Sequence, residues 1–220
     1  MEKTEKTLAE YKLDALRAQM NPHFIFNAIT AIQHFILNNE KMAAIEYLDE
    51  FSTLIRKFLD HSRAEIISLS EEISLLISYI NLEITRFSNK FGFVLNVSEE
   101  IDMDMVKIPP MLIQPFVENA IKYALMHKAE YGLLRIDVQL EKKDLLKIVV
   151  EDDGIGRKKS AEINQWRPKT HKSFAIEATK ERLQIWNEKH GYTQNLEILD
   201  LYNDQGEAAG TRVTSYIYFS

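Results

Sequence analysis

The chain has 220 residues, a net charge of −6, 45% hydrophobic and 27% charged residues, and no cysteine. That composition suits a folded protein of one large or two modest domains. The acidic balance argues against a nucleic-acid binder, which normally carries a basic face, and gives no attraction to anionic lipid. The missing thiol excludes disulfides, thiolate nucleophiles and thiolate metal sites. No apolar run approaches the ~18 residues of a membrane span, and MEKTEKTLAEYK lacks the apolar middle of a signal peptide.

Residues 1–88 contain no glycine and read as helices broken by short polar joints. Leu13, Leu16, Met20, His23 and Asn27 recur at intervals of three and four, a seam on one helical face. Ile25, Ile29, Ile32 and Ile36 form a second stripe on that helix. After a turn at Asn38-Asn39-Glu40, a second helix repeats the spacing with Ile45, Leu48, Ser52, Ile55 and Leu59. One partner helix cannot cover both stripes, so two antiparallel hairpins packed as a dimeric four-helix bundle are expected. Ser68 with Glu71 makes a capping-box signature. It opens a third helix with Leu69, Ile73, Leu76, Ile80, Ile84 and Phe87 on one face.

From about Phe91 the period changes. A short strand around Val94 and Asn96 precedes Pro109-Pro110 and an amphipathic helix from Met111 to Met126. Leu134, Ile136, Val138 and Leu140, then Leu146, Ile148 and Val150, alternate with polar residues across a charged joint, which predicts a hairpin. A helix from about Phe174 to Lys189 stops at Gly191. Two last strands, near Leu196–Leu201 and Arg212–Phe219, flank a turn at Asn203-Asp204-Gln205-Gly206. Grouped strands with intervening helices indicate an α+β sandwich rather than a doubly wound parallel sheet.

Three segments carry chemistry. In Asn21-Pro22-His23-Phe24-Ile25-Phe26-Asn27 a proline loosens the helix beside a histidine at the edge of the seam. A neutral imidazole nitrogen is a competent phosphoryl acceptor near pH 7, although a lone histidine on a seam is more often only packing. In the helix after Pro109-Pro110, Asn119, Lys122 and Tyr123 share the face opposite the apolar positions. An amide oxygen there can ligate Mg²⁺, which takes few protein ligands, and Lys122 can neutralise phosphate. In Val150-Glu151-Asp152-Asp153-Gly154-Ile155-Gly156 an acid ends a buried strand, where it can accept from an adenine amino group. The glycines let backbone approach a ligand; Asp-Gly is also ordinary turn chemistry. Arg157–Lys172 is polar and long enough to cover a site.

In order, these segments resemble the sensor histidine kinases of the LytS type, with a GHKL-type ATPase domain, over residues 13–220. The strings N-P-H-F-x-F-N and P-x-x-x-Q-P-x-x-E-N-A-x-K carry the resemblance. It implies a helical dimerisation and phosphotransfer segment over 1–88 and a GHKL-type (Bergerat) sandwich with a mixed sheet over 89–220. It implies an ATP-dependent histidine kinase with ATP and Mg²⁺ as cofactors. His23 would be the phosphoacceptor, Asn119 the Mg²⁺ ligand and Asp152 the adenine-reading carboxylate. Gly154 and Gly156 would hinge the ATP lid, and Gly210-Thr211 would match the final nucleotide motif. Glu118 and Lys122 would serve the phosphates or the transfer step, with Tyr123 and Arg182 of Glu181-Arg182-Leu183 also at the nucleotide site. The implied partners are a second copy of the chain and the receiver domain of a response regulator. The implied setting is cytoplasmic, with any membrane contact through an upstream segment.

One departure stands out: Ser173-Phe174-Ala175-Ile176 occupies the family's second glycine motif without either glycine. If either position needs a positive φ, a Cβ there costs roughly 1–2 kcal/mol, and nucleotide binding weakens about tenfold. Two alternatives remain. A GHKL ATPase without phosphotransfer needs no Asn21-Pro22-His23, and a pseudokinase scaffold needs no complete lid.

Overall fold

The computed structural model describes residues 22–163, 172–193 and 196–220, and of residues 22, 23 and 172–175 the backbone alone. The expected seam positions Leu13, Leu16 and Met20 lie outside the described residues. The chain forms two compact units, Met1–Arg63 and Ala64–Ser220.

In the first unit, α1 (Pro22–Leu37) and α2 (Lys41–His61) form the expected hairpin. Asn39, at φ +62, makes the turn between them, a conformation asparagine tolerates better than most residues. The helices pack through Phe24, Ala28 and Ala31 of α1 and Ala44, Tyr47, Leu54 and Phe58 of α2. Ring contacts of Phe24 with Phe51 at 5.6 Å and of Phe35 with Tyr47 at 5.8 Å lock this seam. The stripes read from the sequence are different faces. Ile29 and Ile36 are 45% and 57% exposed, and Ile45 and Leu48 54% and 47%. One hairpin therefore satisfies its own small-residue seam and leaves a second apolar stripe on each helix open.

The second unit begins with β1 (Ile67–Ser68), which bridges antiparallel to β3 (Lys107–Ile108). Ser68 caps α3 (Leu69–Arg86): its hydroxyl accepts from the Glu71 N–H at 3.2 Å, and the Glu71 carboxylate accepts from the Ser68 N–H at 2.8 Å. This is the expected capping box. Helix α3 buries Leu69, Ile73, Leu75, Leu76, Tyr79, Ile80 and Leu82 within this unit. The packing division thus falls before α3, whereas the change of sequence period falls after it. After this helix the chain makes a tight turn inside the second unit, with Ser88 and Asn89 at φ +52 and +58. Lys90 Nζ there donates to the Met126 carbonyl at 3.0 Å.

The sheet is mixed and five-stranded, in the order β2 (Phe91–Val97), β4 (Gly132–Lys142), β5 (Leu145–Asp152), β7 (Ala208–Tyr218), β6 (Glu197–Tyr202). Strands β2 and β4 run parallel and the other pairs antiparallel. Register aligns Ile136, Val150 and Val213 on one face, and Arg135, Glu151 and Arg212 on the other. The first set carries the core and the second faces solvent, the alternation expected of a sheet covered by helices on one side. Helix α6 (Lys172–Lys189) is pinned to the end of β7 by fully buried Asn187. Its Nδ2 donates to the Tyr216 carbonyl at 2.7 Å, and its Oδ1 accepts from the Tyr218 N–H at 3.0 Å. Gly191 at φ +82 follows this helix, as expected.

Two expectations are corrected. The helix expected over Met111–Met126 is α4 (Gln114–Asn119) alone, continued by a π turn at Ala120–Ala124 and a 3₁₀ turn at Leu125–His127. The polar stretch from Arg157 is not wholly an irregular cover: Gly156–Ile163 forms α5, tied to β6 by a fork from Arg157 to Asp200 at 2.6 and 2.7 Å. The rest of that stretch, residues 164–171, lies outside the described residues. Ser173 and Ala175 fall within the helical backbone of α6, so in this conformation neither position demands the positive φ that only glycine adopts cheaply.

Candidate active site

The site forms where β5, β7 and the π turn after α4 meet. Asp152 is the last residue of β5 and pairs with Leu134 of β4 and Thr211 of β7. It is 3% exposed, and its Oδ1 accepts from the Gly154 N–H at 3.0 Å. Burial pushes its carboxyl up to about 7. The charges of Asp153 and Glu151 add to the rise, and the N–H groups of Gly154 and Thr211 oppose it.

Glycine is required around Asp152 by close approach. A Cβ on Gly154 would reach the Ala124 carbonyl carbon at 2.6 Å. Here the Asp152 loop lies directly against the continuation of the Asn119 helix. Gly210, at φ +133, passes so close that a Cβ would enter the Asp152 carbonyl oxygen. Gly156, at φ +74, would meet Ala208 Cβ at 2.8 Å. Thr211 is buried beside Asp152. Thus Asp152, Gly154, Gly156, Gly210 and Thr211 converge in space from separate stretches of chain.

Asn119 ends α4, half-buried. Its Nδ2 donates to the Pro115 carbonyl at 2.6 Å, and among the described residues its Oδ1 accepts no hydrogen bond. That free amide oxygen is the atom a hard cation would take. Glu118 Oε1 accepts from Gln114 Nε2 at 2.9 Å, which fixes one carboxylate oxygen. Lys122 and Tyr123 lie in the π turn, the Lys122 ammonium 5.1 Å from the Tyr123 ring centre. A π turn carries one residue more than an α turn and recurs at functional sites. It alters the helical spacing that the sequence suggests for Asn119, Lys122 and Tyr123.

Two expected site residues lie elsewhere in the fold. Arg182 of α6 donates Nη2 to the Pro110 carbonyl at 3.0 Å, at the entrance to α4. His23 is in α1 of the first unit, by its backbone. Among the described residues no group of three or more His, Asp or Glu side chains could hold a metal ion. A divalent cation here would take Asn119 and oxygens of a bound phosphate, the ordinary manner of Mg²⁺.

The sequence reading missed three carboxylates. Asp153 accepts from the Leu133 N–H at 2.8 Å and pairs with Lys128 at 2.9 Å, bracing the end of the π and 3₁₀ turns. Glu72 and Glu83 of α3 are 1% and 2% exposed. Burial raises the Glu83 carboxyl, against its ion pair with Arg86 and the more distant Lys122 charge. The available signal was a carboxylate inside an apolar stripe: Leu69, Glu72, Ile73, Leu76, Ile80 and Glu83 share one helical face.

Residues 11–91 match the family described as histidine kinase. The chain is also similar to the LytS-type sensor kinases. The sensor histidine kinase/phosphatase LytS of Staphylococcus aureus (strain MRSA252) is 35% identical over 156 residues, covering 70% of this chain and 26% of the relative. The LytS protein of strain N315 matches to the same extent. The chain therefore spans about a quarter of the length of these curated relatives. Among solved structures, the catalytic domain of histidine kinase ThkA aligns at 15% identity over 70% of this chain and 93% of that one, with a TM-score of 0.43. The histidine kinase domain of Erythrobacter litoralis EL346 aligns at 13% identity over 96% of this chain and 95% of that one, with a TM-score of 0.45. ThkA in complex with the response regulator TrrA aligns at 16% identity over 100% of this chain and 67% of that one, with a TM-score of 0.42.

Proposed function

We propose that this chain is the catalytic part of a cytoplasmic, dimeric sensor histidine kinase. It would use ATP to phosphorylate His23 and pass the phosphoryl group to an aspartate of a response regulator. The observation that carries this reading is the convergence of Asp152 and its glycines with the helix bearing Asn119, joined at the contact of Gly154 with Ala124. Such a site offers a carboxylate for the adenine amino group, an amide oxygen for Mg²⁺ and a lysine for phosphate. Phosphoryl transfer needs mainly positioning and charge neutralisation. Bound Mg²⁺ would neutralise phosphate charge, and Asn119 would hold it. Glu118 and Lys122 would steady the phosphate end, while a ring nitrogen of His23 attacks the γ-phosphorus and ADP leaves. Incubation with γ-labelled ATP and Mg²⁺ tests this: acid-labile, base-stable label on the protein is expected. Hydrolysis without label would favour a plain ATPase, and absence of nucleotide binding a scaffold.

Asp152→Asn should weaken ATP binding and reduce the preference for ATP over GTP, because guanine offers a carbonyl where adenine offers an amino group. In the wild type, ATP should bind more tightly as pH rises through about 7, where Asp152 ionises. Stability runs the other way. A folded pKa above the unfolded value of 3.8 means the ligand-free fold holds the proton more tightly than the unfolded chain. That contribution is full below 3.8 and is lost as the pH rises to about 7. Ligand-free Asp152→Asn should therefore melt above the wild type at pH 8, with a smaller advantage in acid. An unchanged ATP/GTP ratio would reduce Asp152 to a turn residue.

The open stripes of the first unit support the dimer. Burial of each such side chain stabilises by roughly 1.5–3 kcal/mol, so several per protomer can exceed the entropy of association. Ile45→Asp with Leu48→Asp should shift the sedimentation profile from dimer to monomer without unfolding the hairpin, since neither belongs to its internal seam. A wild type already monomeric at tens of micromolar would sink the bundle.

A further inference from the structure

Glu72 is a buried carboxylate to which the chemistry above gives no part. It projects from the first turn of α3 and is 1% exposed. Its Oε2 accepts from the Met111 N–H at 2.8 Å and its Oε1 from the Ile113 N–H at 3.3 Å. The Leu112 N–H also faces it. Met111 holds φ +58, which a residue with a Cβ rarely adopts, and Ile113 is right-handed at φ −90 and ψ −38. The N–H groups of Met111, Leu112 and Ile113 thus turn to one carboxylate, as in the nests that bind anions in many proteins. Here the anion is a side chain of the same chain.

Arg182 completes the arrangement. It holds the Pro110 carbonyl at 3.0 Å, and its charge acts on Glu72. Burial lowers the Arg182 pKa while Glu72 raises it. Three elements therefore meet at residues 110–113: α3 through Glu72, α6 through Arg182, and the entrance of α4. Asn119 lies on α4, six residues beyond Ile113, so the rotation and depth of α4 set where its amide oxygen points. Mg²⁺ tolerates little departure from near-ideal octahedral geometry. A loosened entrance should be felt by metal ligation before it is felt by Asp152, which stands on the sheet.

We propose that Glu72 and Arg182 are positioning residues for Asn119. They clamp the Pro110–Ile113 nest at the entrance of its helix, and Arg182 serves the nucleotide site in this way rather than as a nucleotide ligand. This rests on the reading of that site as one for Mg-ATP. It differs from general stabilisation in being local to α4 and selective for the metal.

The test compares Glu72→Gln, Arg182→Gln, the double variant and, as a control on α3, Glu71→Gln, which disturbs the helix cap but not the nest. Amide hydrogen exchange is followed over residues 111–119 and over β5, and ATP binding is measured with Mg²⁺ and with chelator. In either clamp variant, exchange at 111–119 should accelerate about tenfold or more, with β5 unchanged. The factor by which Mg²⁺ tightens ATP should fall about tenfold, with metal-free affinity within about twofold. Residues acting as one unit are not additive, so the double variant should be no worse than either single. Loss of metal-free binding in Arg182→Gln with Glu72→Gln silent would make Arg182 a nucleotide ligand and overturn the proposal. Equal acceleration in β5 and α4, or the same pattern in Glu71→Gln, would overturn it in favour of general stabilisation. A wild type that binds no ATP would overturn the nucleotide reading, and the exchange data would then decide the clamp alone.

Discussion

Gly210→Ala should cost the second unit several kcal/mol and lower its melting temperature by roughly 10 °C. Two effects add. The left-handed side of the backbone map costs a residue with a Cβ roughly 1–2 kcal/mol, and Gly210 sits at φ +133. Its Cβ would also be driven into the Asp152 carbonyl oxygen and against the Asp153 Cα at 3.1 Å. That oxygen belongs to the backbone of a central strand and cannot turn aside like a side chain. Overpacking of this kind typically adds about 1–3 kcal/mol, against a total stability of about 5–15 kcal/mol for an ordinary domain. Gly191 and Gly206 separate the terms: both have positive φ, but a Cβ on either meets nothing within 4 Å. Their alanine variants should lose only about 1 kcal/mol each. If thermal denaturation found all three variants equal, the close approach of β7 to the Asp152 loop would be wrong.

His23→Gln should abolish phosphorylation of the protein and leave ATP affinity within about twofold. Removal of the attacking nitrogen is an all-or-none loss, larger in rate than any change in a hydrogen bond. Binding is spared because His23 is in the first unit, and Asp152, Asn119 and the glycines all belong to the second. Label persisting in the variant would move the acceptor, with His34 and His61 as the next candidates. His34 is exposed, its Nε2 3.0 Å from the Asn38 amide nitrogen. His61 holds a buried Nδ1 without a partner among the described residues. Accessibility would favour His34.

Elements with a strong period were legible from the residues alone. The α1–α2 hairpin, the capping box at Ser68 and the β4–β5 hairpin each announce themselves by apolar spacing or by a turn. The stripes on α1 and α2 were legible too, but not which of them would close within one hairpin, because alanines at 28, 31 and 44 mark that seam by small size rather than hydrophobicity. Helix α5 was missed for a related reason. Its sequence, Gly-Arg-Lys-Lys-Ser-Ala-Glu-Ile, has no apolar face, and it buries only Gly156 and Ser160. The Asp152 loop and Asn119 were readable as separate strings; their meeting at Gly154 and Ala124 depends on packing between residues far apart in sequence. The π turn and left-handed Met111 leave no local trace, because partners elsewhere impose them.

On the proposed reading, Asp152 would make the site an exchanger of protons as well as a receptor for adenine. With its carboxyl near 7, the ligand-free protein carries that proton in mildly acidic solution. An adenine amino group needs the ionised form to donate to, so occupation of the site expels the proton into solvent. Near pH 6 this amounts to most of a proton per nucleotide bound, and well above pH 7 to almost none. The heat of binding would then depend on which buffer receives the proton. On that reading, a cell whose interior acidifies would need more ATP to fill the site, with no other ligand involved.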